Sequence, residues 1–224
     1  MQQRIVAQAA RTLVAISSIT VASALSAQRT PVQVQFGVEG GLAFASNVGA
    51  DADGSSGRTT GFAGVTMILH RLRSPIAFQT GLQLIGKGAR IDDFGTTAAL
   101  RLRYVEAPLL LRFVPFTRAS GLTMAFTAGV SVAVRVGCSV SANGEGVNLS
   151  IDCNDEIVED FIAIRRLDTG LSIGADVAIP AGTRLLIAPM VRYTRGLLKV
   201  SDEGENDRVY NNAIQLGVGV RLRR

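Results

Sequence analysis

The stretch that decides the fold is GLTMAFTAGVSVAVRV, residues 121–136. Aliphatic and aromatic side chains occupy every second position from Leu122 to Val136, and mostly small or polar residues occupy the positions between them. A side-chain period of two is the period of a β-strand with one apolar face. Strands in globular proteins are usually about 5–6 residues long. A run of this length therefore predicts a strand that crosses a membrane.

The same alternation recurs along the rest of the chain, and eight copies follow residue 30. The predicted strands are Val32–Phe44, Thr60–Leu69, Ile76–Arg90, Leu100–Phe113, Gly121–Val136, 167–179, 185–194 and 214–222. Long connections follow the odd strands and short turns follow the even ones. This order is typical of an antiparallel barrel with short periplasmic turns and long outer loops. The predicted fold is all-β: an eight-stranded antiparallel up-and-down transmembrane β-barrel.

The two faces of the predicted strands differ in chemistry, and the difference decides between two kinds of barrel. A soluble ligand-binding barrel turns its apolar side chains inward. Here one face is almost purely apolar, and we assign it to lipid. The other face carries charges of both signs, and we assign it to the lumen: Glu39, Lys87, Glu106, Arg112, Arg135, Asp168, Asp176, Arg192 and Arg221.

The interior of an eight-stranded barrel is only wide enough for side chains. Charges buried there must be paired, so we predict that these residues form a salt-bridged charge network that fills the lumen. The alternative is that they line a narrow conduit.

The first residues have the pattern of an export signal. Arg4 and Arg11 form a basic start, Leu13–Val21 is apolar, and small residues precede Gln28. We predict a signal peptide over 1–27 and an outer-membrane barrel domain over 28–224. Cleavage after Ala24 and a retained anchoring helix are the alternatives. The full chain has a formal net charge of +5, and we expect no nucleic acid among its partners.

Two cysteines lie in one polar connection of a chain predicted to be exported. An oxidising compartment favours a disulfide between Cys138 and Cys153. The bond would close a loop of about 16 residues and stabilise the fold by about 3 kcal/mol. A metal pair is the weaker alternative, because no histidine lies near these cysteines in the sequence.

Several segments together resemble the PorT-like outer-membrane β-barrel domain family. The most specific is YVEAPLLLR over Tyr104–Arg112, accompanied by GVEGGL, FQTGLQ and NAIQLGVG at 37–42, 78–83 and 212–219. The resemblance spans about 34–222. It implies an eight-stranded barrel in a bacterial outer membrane. The founding member of that family is linked to protein secretion, and most members have no assigned activity.

Residues suited to catalysis are scarce in this sequence. His70 is the only histidine, and a lone histidine in a predicted turn is usually a solvated surface residue. No serine elbow, HExxH pattern or phosphate loop occurs. We therefore expect no catalytic, cofactor-binding or metal-binding residues and no enzyme activity.

We predict a structural or interaction protein of the bacterial outer membrane. Its partners would be outer-membrane lipid, lipopolysaccharide held at phosphates by Arg90, Arg101 and Arg103, and the barrel-assembly machinery. A protein partner would bind through loops 46–58 and 137–164. A narrow channel or small-solute porin is the first alternative, and a lipid-modifying enzyme is the second.

Overall fold

A computed structural model describes residues 31–48, 55–72, 74–93, 96–144, 147–152, 166–199 and 209–223. The predicted signal peptide, the second cysteine and most of the acidic part of the predicted loop 137–164 lie outside these described residues. Within them, no helix is long and apolar enough to cross a membrane.

The described chain is built from β-strands. In chain order they are β1 (Val32–Val48), β2 (Ser55–Ser56), β3 (Arg58–Arg71), β4 (Ile76–Lys87), β5 (Arg90–Asp93), β6 (Thr96–Thr117), β7 (Thr123–Gly144), β8 (Val147–Asp152), β9 (Leu167–Ala181), β10 (Leu185–Lys199) and β11 (Tyr210–Leu222).

Eight long strands close into one barrel, as the sequence predicts. Going round the barrel, β1 is followed by β3, β4, β6, β7, β9, β10 and β11, and each strand pairs antiparallel with the next. The pairing of β1 with β11 completes the ring, with Gly37 opposite Arg221 and Val48 opposite Tyr210. Closure leaves the spanning sheet without an edge, which is what a strand structure in lipid requires.

The strands are longer at the loop end than the sequence predicts. Backbone pairing continues past the apolar belt. Beyond the register shift between Arg103 and Tyr104 the outer face becomes polar, while Cys138 and Val140 on the inner face pack in a buried apolar cluster. β6 begins at Thr96, β7 runs to Gly144, and β8 returns beside it, with Ser139 opposite Asp152. Part of the predicted loop 137–164 is therefore a β-hairpin.

Two other predicted boundaries are wrong for related reasons. The predicted loop 46–58 includes the end of β1, the short β2 and the start of β3. The predicted strand Ile76–Arg90 divides at Gly88, whose φ of 122° interrupts the extended backbone between β4 and β5. A positive φ of this kind favours glycine and is invisible to a hydrophobicity pattern.

The outer face of the barrel is aliphatic and exposed. Leu111 is 64 % exposed and Ile173 is 59 % exposed, and most of their neighbours on the same face are similar. An apolar surface that surrounds the whole molecule is far larger than the patches that soluble monomers expose. It matches the lipid-facing band of a transmembrane barrel.

Glycine on the inner face makes room for larger side chains. A Cβ atom at Gly217 would lie 2.5 Å from the backbone oxygen of Gly40 and 2.6 Å from Cζ of Phe62, a residue that points into the lumen. At Gly219, two residues along the same strand, the nearest atom would be 3.6 Å away. The barrel is therefore tightly packed at Gly217 and has room for a methyl group at Gly219.

Candidate functional site

The lumen is the part of the molecule where chemically active side chains meet. Eight charged residues on six strands point inward and are almost fully buried, four cationic and four anionic: Lys87, Arg112, Arg192, Arg221, Glu39, Glu106, Asp168 and Asp176. We call them the lumen network. Inward placement follows from strand parity, because successive side chains alternate between the two faces of a sheet.

Three members form a loop-side cluster at the end of the lumen nearer the long connections. Lys87 Nζ lies 2.9 Å from Glu106 Oε2 and 3.1 Å from Asp168 Oδ2. Asn211 donates a hydrogen bond of 3.3 Å to Asp168, and the Lys87 ammonium lies 5.1 Å from the centre of the Tyr104 ring. One cation therefore holds two carboxylates, with an aromatic face beside it.

A glutamine links this cluster to the middle of the lumen. Gln83 donates to Glu106 over 3.0 Å, and its amide oxygen accepts from Arg192 at 3.3 Å and Gln215 at 3.2 Å. Arg192 also pairs with Glu39 at 3.2 Å. The polar chain is therefore continuous across the barrel axis.

The turn-side cluster consists of Arg112, Asp176 and Arg221. Arg112 donates through both terminal nitrogens to the Asp176 carboxylate, and Arg221 Nη1 donates to the same carboxylate over 2.8 Å. Arg112 also donates to Gln79 at 3.1 Å. Two guanidinium groups therefore share one carboxylate, the reverse of the loop-side arrangement.

Two other predicted site residues, Arg135 and Cys138, lie outside the lumen network. Arg135 is half-buried, and its Nη1 atom has no hydrogen-bond partner among the described residues. Cys138 is buried in β7 at 5 % exposure. Its predicted partner, Cys153, lies outside the described residues, so the disulfide stays a prediction.

His70 is not the solvated turn residue that the sequence suggests. It lies within β3, half-buried, and lines a cavity of about 290 Å³ at the turn end of the lumen. We call this cavity the vestibule. The prediction is wrong because β3 extends two residues past its predicted end at Leu69. His70 is therefore part of the strand, and its side chain points inward.

A second cavity, of about 610 Å³, lies at the loop end and is lined by three arginines, Arg58, Arg101 and Arg103, and by one acidic residue, Asp152. Partial burial, and then the charges of Arg101, Arg90 and Arg103, lower the pKa of Arg58. These four guanidinium groups form a rim cluster just beyond the aliphatic belt. Such a cluster suits an anionic group that can accept several charge-assisted hydrogen bonds.

The described residues include no group of three or more His, Cys, Asp or Glu side chains placed to hold a metal ion. The charged groups of the lumen network mostly bond to one another. Their arrangement neutralises their charges and fills the lumen. What the sequence did not predict is the part played by Gln83 and Asn211. The inward parity of Gln83 follows from the pattern, but its partners lie on distant strands, and Asn211 precedes the predicted strand 214–222 because β11 begins at Tyr210.

Comparison with known proteins agrees with this architecture. The sequence profile described as "Outer membrane protein beta-barrel domain" matches residues 26–202. No curated protein sequence matches this chain.

Among solved structures, neisserial surface protein A is 13 % identical with a TM-score of 0.47, covering 84 % of this chain and 97 % of that one. OprG from Pseudomonas aeruginosa is 10 % identical with a TM-score of 0.46, covering 85 % and 96 %. Ail of Yersinia pestis is 12 % identical with a TM-score of 0.37, covering 84 % and 99 %.

The profile match covers most of the chain and describes the broad family without singling out its PorT-like members. The closed eight-stranded ring and the aliphatic outer face fit the same family. The chain belongs to the outer membrane protein β-barrel domain family and is a protein of the bacterial outer membrane.

Proposed function

We propose that this protein is a non-conducting, non-enzymatic barrel with a structural or interaction role in the outer membrane. The observation that carries the proposal is the lumen network, whose eight buried charges balance in sign and are paired between strands in two bonded groups. A lumen filled by paired side chains acts as a plug.

The physical reason is the cost of separating charges in a low-dielectric interior. Removing one partner of a buried pair typically costs about 3–5 kcal/mol. An ion crossing the middle of this lumen would have to displace Arg192 from Glu39 and from Gln83. The side chains that would line a conduit are thus already bonded to each other.

Recording single-barrel currents in planar bilayers tests the proposal. The wild-type barrel should show no steady conductance, whereas a narrow porin would conduct. The double variant Glu106→Gln with Arg112→Gln removes one member from each cluster and should lower the free energy of unfolding. Raised conductance in this variant with unchanged stability would count against a plug.

We also propose that the rim cluster holds lipopolysaccharide phosphates. Its support is the position of Arg101 and Arg103, which point outward just above the lipid-facing belt. Arginine forks match phosphate oxygens. The variant Arg101→Gln with Arg103→Gln should retain less lipopolysaccharide through purification than wild type, and equal retention would contradict the proposal.

The remaining parts of the proposal concern segments at the loop end. The segments 46–58 and 137–164 would contact a protein partner, and the disulfide between Cys138 and Cys153 would brace the second. The pairing of Ser139 with Asp152, each adjacent to a cysteine in sequence, supports that bond. Recognition by the barrel-assembly machinery and a PorT-like link to secretion are proposals of the same kind. Capture of intact outer membranes with the barrel as bait tests them.

A further inference from the structure

The vestibule is a chamber enclosed by the whole barrel. All eight spanning strands contribute to its wall, including Ile68 of β3, Ala178 of β9 and Leu186 of β10. Its volume is about 290 Å³, and a water molecule in the liquid occupies about 30 Å³. The vestibule therefore has room for a small organic group.

The charge of the vestibule is one-sided. Arg112 and Arg221 lie at its inner end, and Arg71 and His70 also line it. Among the described residues that line the cavity, none carries a carboxylate. Asp176 is the nearest anion that bonds these arginines, and it is shared between two of them.

The two guanidinium groups are therefore under-neutralised. One carboxylate against two nearly fully buried arginines leaves a net positive charge, which favours the binding of another anion. Arg221 is 2 % exposed, and its Nε atom has no hydrogen-bond partner among the described residues. A guanidinium has five N–H donors in a fixed fork, so donor capacity remains.

We propose that the vestibule is an anion-binding site that takes a small carboxylate entering from the periplasmic side. A carboxylate matches the fork geometry of arginine and supplies the missing negative charge. The short turns of a barrel face the periplasm, so the vestibule opens toward that compartment. The carboxylate can come from a free small acid or from the C-terminus of a peptide.

Isothermal titration of the full-length, detergent-solubilised barrel with sodium acetate tests this site. Wild type should bind acetate saturably. Arg221→Gln removes a charged donor and should weaken binding about tenfold or more. Ala178→Leu keeps both arginines but fills part of the chamber, and should also weaken binding. Circular dichroism verifies that each variant retains its β-structure.

Arg184→Gln is the matched control, because Arg184 is exposed in the turn between β9 and β10 and does not line the vestibule. It removes the same charge from the same end of the barrel and should leave acetate binding unchanged. Trialanine with a free or an amidated C-terminus distinguishes the two sources. Binding of the free form more tightly than acetate supports peptide termini, and binding of acetate alone supports small acids.

Three results would overturn the proposal. The first is an absence of saturable acetate binding by wild type up to about 100 mM, a range that includes millimolar affinities. The second is equal binding by Arg221→Gln, Ala178→Leu and wild type. The third is an equal loss in Arg184→Gln, which would mean that only the overall charge of the turn end matters.

Discussion

Replacing Asp176 with asparagine is the sharpest test of how the lumen is held together. Asp176 is 5 % exposed, and its carboxylate accepts hydrogen bonds from both Arg112 and Arg221 in the turn-side cluster. The substitution keeps the size of the side chain and removes its charge. Two arginines are then left facing each other in a buried space.

The magnitude follows from the geometry. Arg112 Nη2 and Arg221 Nη1 each lie 2.8 Å from Asp176 Oδ1. They can be at most about 5.6 Å apart, which is twice that bond length. At an effective dielectric constant of about 20, two like charges at this distance repel by about 3 kcal/mol. Breaking buried ion pairs typically costs about 3–5 kcal/mol, so we expect Asp176→Asn to lower the free energy of unfolding by that amount.

The assay is urea unfolding of the barrel in lipid vesicles, followed by far-ultraviolet circular dichroism. The sequence contains no tryptophan, which removes the usual fluorescence probe. Two controls separate charge from packing. Asp152→Asn changes an exposed carboxylate and should stay within about 1 kcal/mol of wild type.

Arg221→Met is the second control. It leaves the neutral pair of Arg112 and Asp176 intact and removes one charge-assisted hydrogen bond, so it should cost less than Asp176→Asn, about 1.5–3 kcal/mol. Unfolding of Asp176→Asn at the wild-type urea concentration would contradict this prediction. Equal destabilisation by Arg221→Met and Asp176→Asn would also contradict it, because the loss would then come from packing rather than from unpaired charge.

Two further predictions concern packing and covalent bracing. Gly217→Val should destabilise the barrel by about 1–3 kcal/mol because its side chain would collide with Phe62, whereas Gly219→Ala should be tolerated; equal urea midpoints for the two variants would contradict the tight fit. Alkylation before and after reduction should add two labels only to the reduced protein if Cys138 and Cys153 are bonded, and the double variant to serine should lose about 3 kcal/mol. Labelling of the unreduced, denatured protein would exclude the bond.

The number of spanning strands and the face of each side chain could be predicted from the sequence because both follow from a period of two. In lipid the polar face has to turn inward, so the predicted lumen residues from Glu39 to Arg221 lie on the inner side of the barrel, with Arg135 half-buried. Strand parity needs no knowledge of the neighbouring strands.

Partners could not be predicted in this way. Arg192 bonds Glu39 across 153 residues, and Lys87 bonds Asp168 across 81. Which inward residues meet depends on the stagger of the strands around the barrel, and the alternation pattern does not encode stagger. The strand ends at Thr96 and Gly144 could not be predicted for a different reason: beyond the register shift at Arg103 and Tyr104 the apolar side chains turn inward and the outer face becomes polar, so the pattern of a lipid-facing strand ends there.

The lumen network also bears on how this barrel selects its register. A slip of one residue along a strand would turn its charges toward lipid, where an Arg or Lys near the midplane costs about 2–4 kcal/mol. A slip of two residues keeps the faces correct and leaves the aliphatic belt nearly unchanged, so burial in lipid barely opposes it. It would, however, move Asp168 away from Lys87 or Glu39 away from Arg192 and strand charges in the lumen. The ion pairs therefore penalise the one class of misalignment that the outer surface tolerates, which gives the polar interior a role in specifying the fold as well as in closing the pore.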